Sequence, residues 1–296
     1  MDAIGTNNFS AETGRSQQGV MKPCPLDITV TIPVLNELHY TVQCVESLNG
    51  AGIADSQMVI VNNASTDGTR EFLASRPQIR AIHNAENLGC GTAWTQGAKA
   101  SSSAWTMVSN NDVLFAPDTF SALIGFAEDQ HADVVSPAMC EGEADYDFQA
   151  YARHFVRTMA PAIRWTVAWG SCFMVHRRVF DAIGFFDGDP KLGGYEDDEF
   201  FRRSRGAGFR LAITGRAFLH HFGGVTQRSI KAERGRPEAS LGDRSYYRKK
   251  TGQTWSKRKL IQLRNAVRAC WWKNSERWRY GHTLHEKRFD GKWHYY

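Results

Sequence analysis

What this chain lacks narrows its class before any motif is read. Its six cysteines, Cys24, Cys44, Cys90, Cys140, Cys172 and Cys270, form no Cys-x-x-Cys pair. That spacing indicates neither a thiolate zinc site nor a disulfide framework, so reduced thiols are expected. Nowhere do about eighteen apolar residues follow one another, so no membrane-crossing helix is expected and any membrane contact would be peripheral. Residues 1–23 are rich in Gly, Ser, Gln and Asn and lack the apolar core of a signal peptide, which leads us to expect a flexible segment over 1–26 and a cytoplasmic protein. No internal repeat is visible.

What the chain does have is the material for a core. Of 296 residues, 42% are hydrophobic and 23% charged, enough for one α/β domain with an appendage. The net charge of +5 is unevenly spread. Residues 227–296 hold 19 Lys and Arg against 6 Asp and Glu, a net of +13, and the remainder, with 17 against 25, stands at −8. The two parts are therefore expected to meet different partners.

Short β-rich runs alternate with helical patterns. Residues 27–32 (DITVTI) predict a strand ending at Pro33, which lacks the N–H a central strand needs. Leu38, Val42, Val45 and Leu48 mark one helical stripe ending near Gly50. A strand over 57–61 follows, then a helix start at 66–73 capped by Thr66 or Asp67. Residues 80–83 predict a strand, 88–100 a helix, 104–108 a strand and 117–129 a helix. This alternation predicts a mostly parallel, doubly wound sheet with its ligand site beyond the carboxyl ends of the strands. Asn36, Asn62, Asn63 and Asp112 all fall just after strands, so they are expected to share one crevice. Residues 132–139 predict another strand. From 140 to 168 the pattern loosens, and strand and helix resume over 170–176, 177–183, 196–206 and 210–214.

Six pieces stand in order: IPVLNE (32–37), VNNASTDGT (61–69), ENLGCGTA (86–93), SNNDV (109–113), GGYEDDEF (193–200) and HHFGGVT (220–226). Together they resemble the family 2 glycosyltransferases of the GT-A fold, over about residues 27–226. The resemblance implies an inverting transferase that moves a sugar from a UDP-, dTDP- or GDP-linked donor to an acceptor hydroxyl. Asp112 matches the final carboxylate of the family's Asp-x-Asp motif, which binds Mg²⁺ or Mn²⁺ on the diphosphate, and Asn110 stands where the first acid would be. His221, five residues before Thr226, matches the late histidine of the metal shell; its neighbour His220 competes for that role. Asp197 matches the catalytic base, with Glu196 and Asp198 orienting the acceptor and Trp169 offering a sugar-stacking surface. Clustered carboxylates also raise one another's pKa, which suits a base. Pro33, Asn36, Glu37, Asn62, Asn87, Gly89 and Asn111 are the implied nucleotide-binding positions, while Asp67 reads as a helix cap.

Beyond Thr226 the resemblance fades. Over 255–279, Leu260, Leu263, Val267, Cys270 and Trp271 mark one helical stripe among many Lys and Arg, so a basic, largely helical C-terminal extension over 227–296 is expected. Three uses stay open for it: covering the catalytic domain, lying on an anionic membrane near a lipid-linked or polysaccharide acceptor, or binding nucleic acid such as DNA with a modified base. A non-catalytic nucleotide-sugar or DNA-binding module is the alternative to an enzyme, because Asn110 removes one acid.

Overall fold

The computed structural model describes residues 26–225, 242–252 and 254–296. The expected flexible segment, apart from Leu26, lies outside the described residues, as do Thr226 and the first part of the expected extension. Strands are β1 (Ile28–Val34), β2 (Met58–Asn62), β3 (Arg80–His83), β4 (Trp105–Ser109), β5 (Val113–Phe115), β6 (Val134–Gly142), β7 (Ile163–Trp165), β8 (Cys172–His176), β9 (Leu211–His221), β10 (His285–Phe289) and β11 (Lys292–Tyr295). Helices are α1 (Leu38–Gly50), α2 (Thr69–Ala74), α3 (Cys90–Ala100), α4 (Thr119–Gln130), α5 (Phe148–Met159), α6 (Arg177–Ile183), α7 (Glu196–Gly206), α8 (Arg244–Lys250) and α9 (Trp255–Tyr280).

One sheet runs β11-β10-β6-β8-β4-β1-β2-β3, with β9 alongside β6 and in turn flanked by β5 and β7. The block β3-β2-β1-β4 is parallel, as its strand–helix alternation requires. Antiparallel strands are added to this parallel framework: β8 runs antiparallel between β4 and β6, and β5, β7 and β11 are antiparallel to their neighbours. In β1 and β2 every residue is buried, the signature of strands covered on both faces. Ile28, Val30, Ile32, Leu48, Phe120 and Phe126 fill the core, and Trp94, Phe173, Phe186 and Phe200 form a second apolar layer.

β1 does not stop at Pro33 but continues to Val34. Pairing with β4 ends at Thr31, so this last stretch pairs with β2 alone and tolerates a residue without an N–H. The loose region 140–168 contains α5, capped by Asp147, which accepts from the Ala150 N–H at 2.9 Å and buries Ala152, Phe155 and Met159. The strand expected over 210–214 extends to His221. The last two strands join the same sheet: β8 pairs only with Val134 and Val135 of β6, and β10 takes up that edge from Met139 to Gly142. The end of the chain is thereby brought beside residues 141 and 169.

Candidate active site

The strand-end loops are tied to one another by asparagines. Asn36 accepts from the Thr66 N–H at 2.7 Å, its own N–H donates to Ser65 Oγ at 2.8 Å, and Asn62 accepts from the Ser65 N–H at 2.8 Å. Asp67 takes the Leu38 N–H at 2.9 Å and the Thr69 N–H at 3.1 Å, so it serves the starts of α1 and α2 as a cap. Asn36 and Glu37 both hold left-handed backbone, with φ of 55° and 58°, a conformation that non-glycine residues keep only where surroundings enforce it. They line an open cleft of about 920 Å³ with Gln43, Thr66 and Asp67. Pro33, Asn62 and Asn111 lie buried behind it; Asn62 contacts His83 Nδ1 at 3.3 Å and Asn111 donates to Thr41 Oγ1 at 3.0 Å. Asn87 turns the next loop by accepting from the Gly89 N–H at 3.0 Å, and Gly89, at φ 81°, opens α3.

Asp112 and His221 meet because β5 pairs antiparallel with the end of β9, Val113 opposite His221. Asp112 is 3% exposed; its Oδ2 accepts from the Val225 N–H at 3.0 Å and its Oδ1 lies 3.3 Å from His221 Nε2. Burial favours the protonated acid, but the His221 contact and the Val225 N–H outweigh it and hold Asp112 below the usual carboxylate range. The His221 contact does not form a hydrogen bond. Among the described residues, neither ring nitrogen of this buried imidazole has a hydrogen-bond partner. Such orphaned groups need an explanation, and an unmet ligand is one. His220 is different: Nδ1 meets the Tyr146 hydroxyl at 2.9 Å and Nε2 meets the Gly142 carbonyl at 3.1 Å. Fully buried and satisfied as a neutral ring, it is pushed down to about 4 by burial, and it has no nitrogen left for a ligand. Among the described residues no group of three or more His, Cys, Asp or Glu side chains is gathered as a metal site. Asn110 is tied by its backbone, its N–H donating to the Ser171 carbonyl at 2.9 Å.

The four acids that open α7 divide into pairs. All favour the positive end of the helix dipole. Glu196 is buried, accepts from the Gly194 N–H at 2.6 Å and packs its side chain against Gly91 of α3. Glu199 is buried and grips Arg202 at 3.1 Å and Arg203 at 2.8 Å. Asp197 and Asp198 are left facing outward, half-buried and exposed. Burial pushes Asp197 up to about 7, reinforced by the Asp198 and Glu196 charges and opposed by backbone N–H groups. Its carboxylate lies against Gly170, which follows Trp169 in the chain. Burial pushes the thiol of Cys90, at the start of α3, up to about 12, and the Glu196, Asp197 and Asp112 charges add to the rise.

Trp169 donates from Nε1 to the Pro137 carbonyl at 2.9 Å, and its ring stands 5.0 Å from that of His285. His285 in turn lies 5.3 Å from the Tyr296 ring. Glu141 accepts from Lys287 at 2.8 Å and contacts His285 at 3.3 Å; these partners hold it down at about 2 against its burial. His285, Lys287 and Tyr296 come from β10 and the end of the chain, and sequence reasoning missed them. The signal was Asp290-Gly291, both at positive φ, the tight turn of a two-residue hairpin.

Residues 29–184 match the model of glycosyl transferase family 2, which covers more than half of the chain. The chain belongs to this family. Among curated relatives, the glycosyltransferase GlyG of Streptococcus pneumoniae is 23% identical over 36% of this chain and 37% of its own length. The N-acetylglucosaminyl-diphospho-decaprenol L-rhamnosyltransferase of Mycobacterium tuberculosis is 27% identical over 44% of this chain and 55% of its own. The match thus spans only about a third to a half of these relatives. Among solved structures, S. aureus TarS 1–349 with UDP-GlcNAc superposes with a TM-score of 0.51 at 16% identity, covering 65% of this chain and 58% of that one. GalNAc-T7 with UDP, GalNAc and Mn²⁺ gives 0.54 at 15%, covering 66% and 42%. At these identities the likeness carries the fold, which is GT-A.

Proposed function

We propose that this family 2 member is an inverting glycosyltransferase using a nucleoside diphosphate sugar. The observation that carries the reading is the buried Asp112–His221 pair at a strand end, with an imidazole that has no hydrogen-bond partner among the described residues. A carboxylate and an imidazole suit Mn²⁺ or Mg²⁺, and two side chains leave room for oxygens of an incoming diphosphate. Asp112 and His221 would hold the ion, with Asn110 beside them, and the ion would supply counter-charge to the departing nucleoside diphosphate. Solved GT-A structures with bound UDP and Mn²⁺ support this assignment.

Asp197 takes the proton of the acceptor hydroxyl as that oxygen forms its bond to the anomeric carbon. The attack comes from the face opposite the leaving diphosphate, so configuration inverts. A carboxylate near pKa 7 is well matched to that transfer at neutral pH. Asp198 and Trp169 would contact the acceptor, while Glu196, held by the Gly194 N–H and packed against Gly91, positions Asp197. Asn36 and Glu37 line the cleft for the nucleotide, and Pro33, Asn62, Asn87, Gly89 and Asn111 shape its loops from behind. The rhamnosyltransferase relative, whose name states a decaprenol-linked acceptor, favours a glycan or lipid-linked glycan as acceptor. Nucleoside diphosphate release from a panel of UDP-, dTDP- and GDP-sugars with Mn²⁺ tests the reading; silence with every donor in the presence of glycan and lipid-linked acceptors overturns it.

A further inference from the structure

α9 is unusual for a helix on a globular body. It is 26 residues long, about 39 Å at 1.5 Å per residue, and through Cys270 nearly all its side chains are exposed. Leu260, Leu263, Val267, Trp271 and Trp278 fall on one stripe, and each is at least 61% exposed, Trp278 reaching 84%. A hollow of about 550 Å³ lies along Leu263, Val267 and Trp271. Lys257, Lys259, Arg264 and Arg279 are exposed beside the stripe, whereas Lys273 and Arg277 lie over the Tyr296 and Tyr295 rings. The helix's only acid, Glu276, is buried and held by Arg164 at 2.8 Å. Its solvent face therefore combines an aliphatic ridge with cations and no anion.

We infer that this face of α9 docks on an anionic lipid surface, with the ridge in the headgroup and acyl boundary and the cations on lipid phosphates. A continuous Leu and Val ridge gains from hydrocarbon, and the Trp residues suit the interface. Single-stranded nucleic acid would stack on Trp255, Trp271 and Trp278 but leave the Leu260, Leu263 and Val267 ridge between them uncovered. A second copy of α9 would bring two sets of cations together along the same seam, which disfavours self-pairing.

The position of the helix gives the docking a use. Thr166 is the common point: Arg268 of α9 donates to its hydroxyl at 2.8 Å, and Arg205 at the end of α7 donates to its carbonyl at 3.3 Å. The same α7 carries Asp197 and Asp198 in its first turn, about 12 Å along the helix from Arg205. An α9 lying on lipid would thus hold the acceptor side of the cleft close to that surface, where a lipid-linked sugar presents its hydroxyl. This orienting role rests on the proposed function; the docking does not.

Flotation of the full chain with vesicles decides the matter, phosphatidylglycerol mixed with phosphatidylcholine against phosphatidylcholine alone. The full chain is expected to float with the anionic vesicles, less as salt rises. Leu263→Gln with Val267→Gln is expected to lower partitioning on the order of tenfold or more with unchanged circular dichroism, since both residues are exposed. Asp197→Asn is expected to float like the parent, so loss of catalysis cannot be mistaken for loss of docking. Absence of flotation at low salt overturns the inference, as does flotation that ignores the double substitution. Self-association by light scattering that the double substitution abolishes, or tight binding to DNA that vesicles do not displace, would assign the face to those partners instead.

Discussion

The carboxylate of Asp197 lies in the space that a Cβ on Gly170 would occupy. Gly170 is therefore fixed by proximity and not by backbone conformation, since its φ is ordinary for any residue. Gly170→Ala should fold, push the Asp197 carboxylate aside, and lower kcat by about 10²-fold, the usual cost of misplacing a catalytic group by about 1 Å. Steady-state kinetics with a thermal melt check this. Unchanged kcat would separate Asp197 from the chemistry.

Asp197→Asn should lower turnover by roughly 10²–10⁴-fold while nucleotide affinity persists, as expected for loss of a general base. Calorimetric titration with the nucleoside diphosphate distinguishes this from a folding defect.

The raised pKa of Asp197 has consequences of opposite sign for rate and stability. The proposed base works deprotonated, so kcat/KM should rise about tenfold per pH unit below about 7 and level off above it. For stability, the unfolded carboxyl ionises near 3.8 and the folded one near 7, so between those values the unfolded chain binds fewer protons. This group's contribution therefore turns against folding as pH rises from about 4 to about 7. Asp197→Asn should remove that decline, giving a higher Tm than the parent at pH 8 and no gain at pH 4.

The sequence carried the parallel half of the fold because there local order decides neighbours: strand, helix, strand. It also carried α6 and α7 to their observed ends; that Asp112 and His221 meet was expected only through the family resemblance, not from local sequence. What it withheld was set by distant pairing. β5 is three residues long and exists because β9 pairs with it. α5 was hidden because Tyr and Phe on its polar background read as irregular chain. The surroundings of Trp169 are built by His285 and Tyr296, whose place follows from β10 taking up an edge that β8 leaves. The choice between His220 and His221 likewise needed the Tyr146 hydroxyl, which local sequence does not bring near.

His221→Ala and Asp112→Ala should each weaken the Mn²⁺-dependent part of UDP or GDP binding and leave any residual binding in EDTA unchanged. His220→Phe, by contrast, removes bonds to Tyr146 and Gly142 and should lower stability without altering metal dependence. Equal nucleotide affinity with and without Mn²⁺ in the parent would remove the metal role from the pair.

Arg164 joins the end of the chain to the sheet. Its guanidinium meets both oxygens of Glu276 at 2.8 Å and the Tyr296 carbonyl at 2.7 Å, and Glu276 also takes the Leu284 N–H at 2.8 Å. Both partners are buried, so Arg164→Met alone strands a carboxylate in the interior and should cost about 3–5 kcal/mol. Pairing it with Glu276→Met removes both charges, and much of that loss should return, because the desolvation penalty goes with them. Denaturant unfolding of the two variants measures the difference. If the single and double variants were equally unstable, the ion pair would not be what anchors α9 and the last strands, and the stability of this corner would have to come from the packing of Trp272 against Arg164.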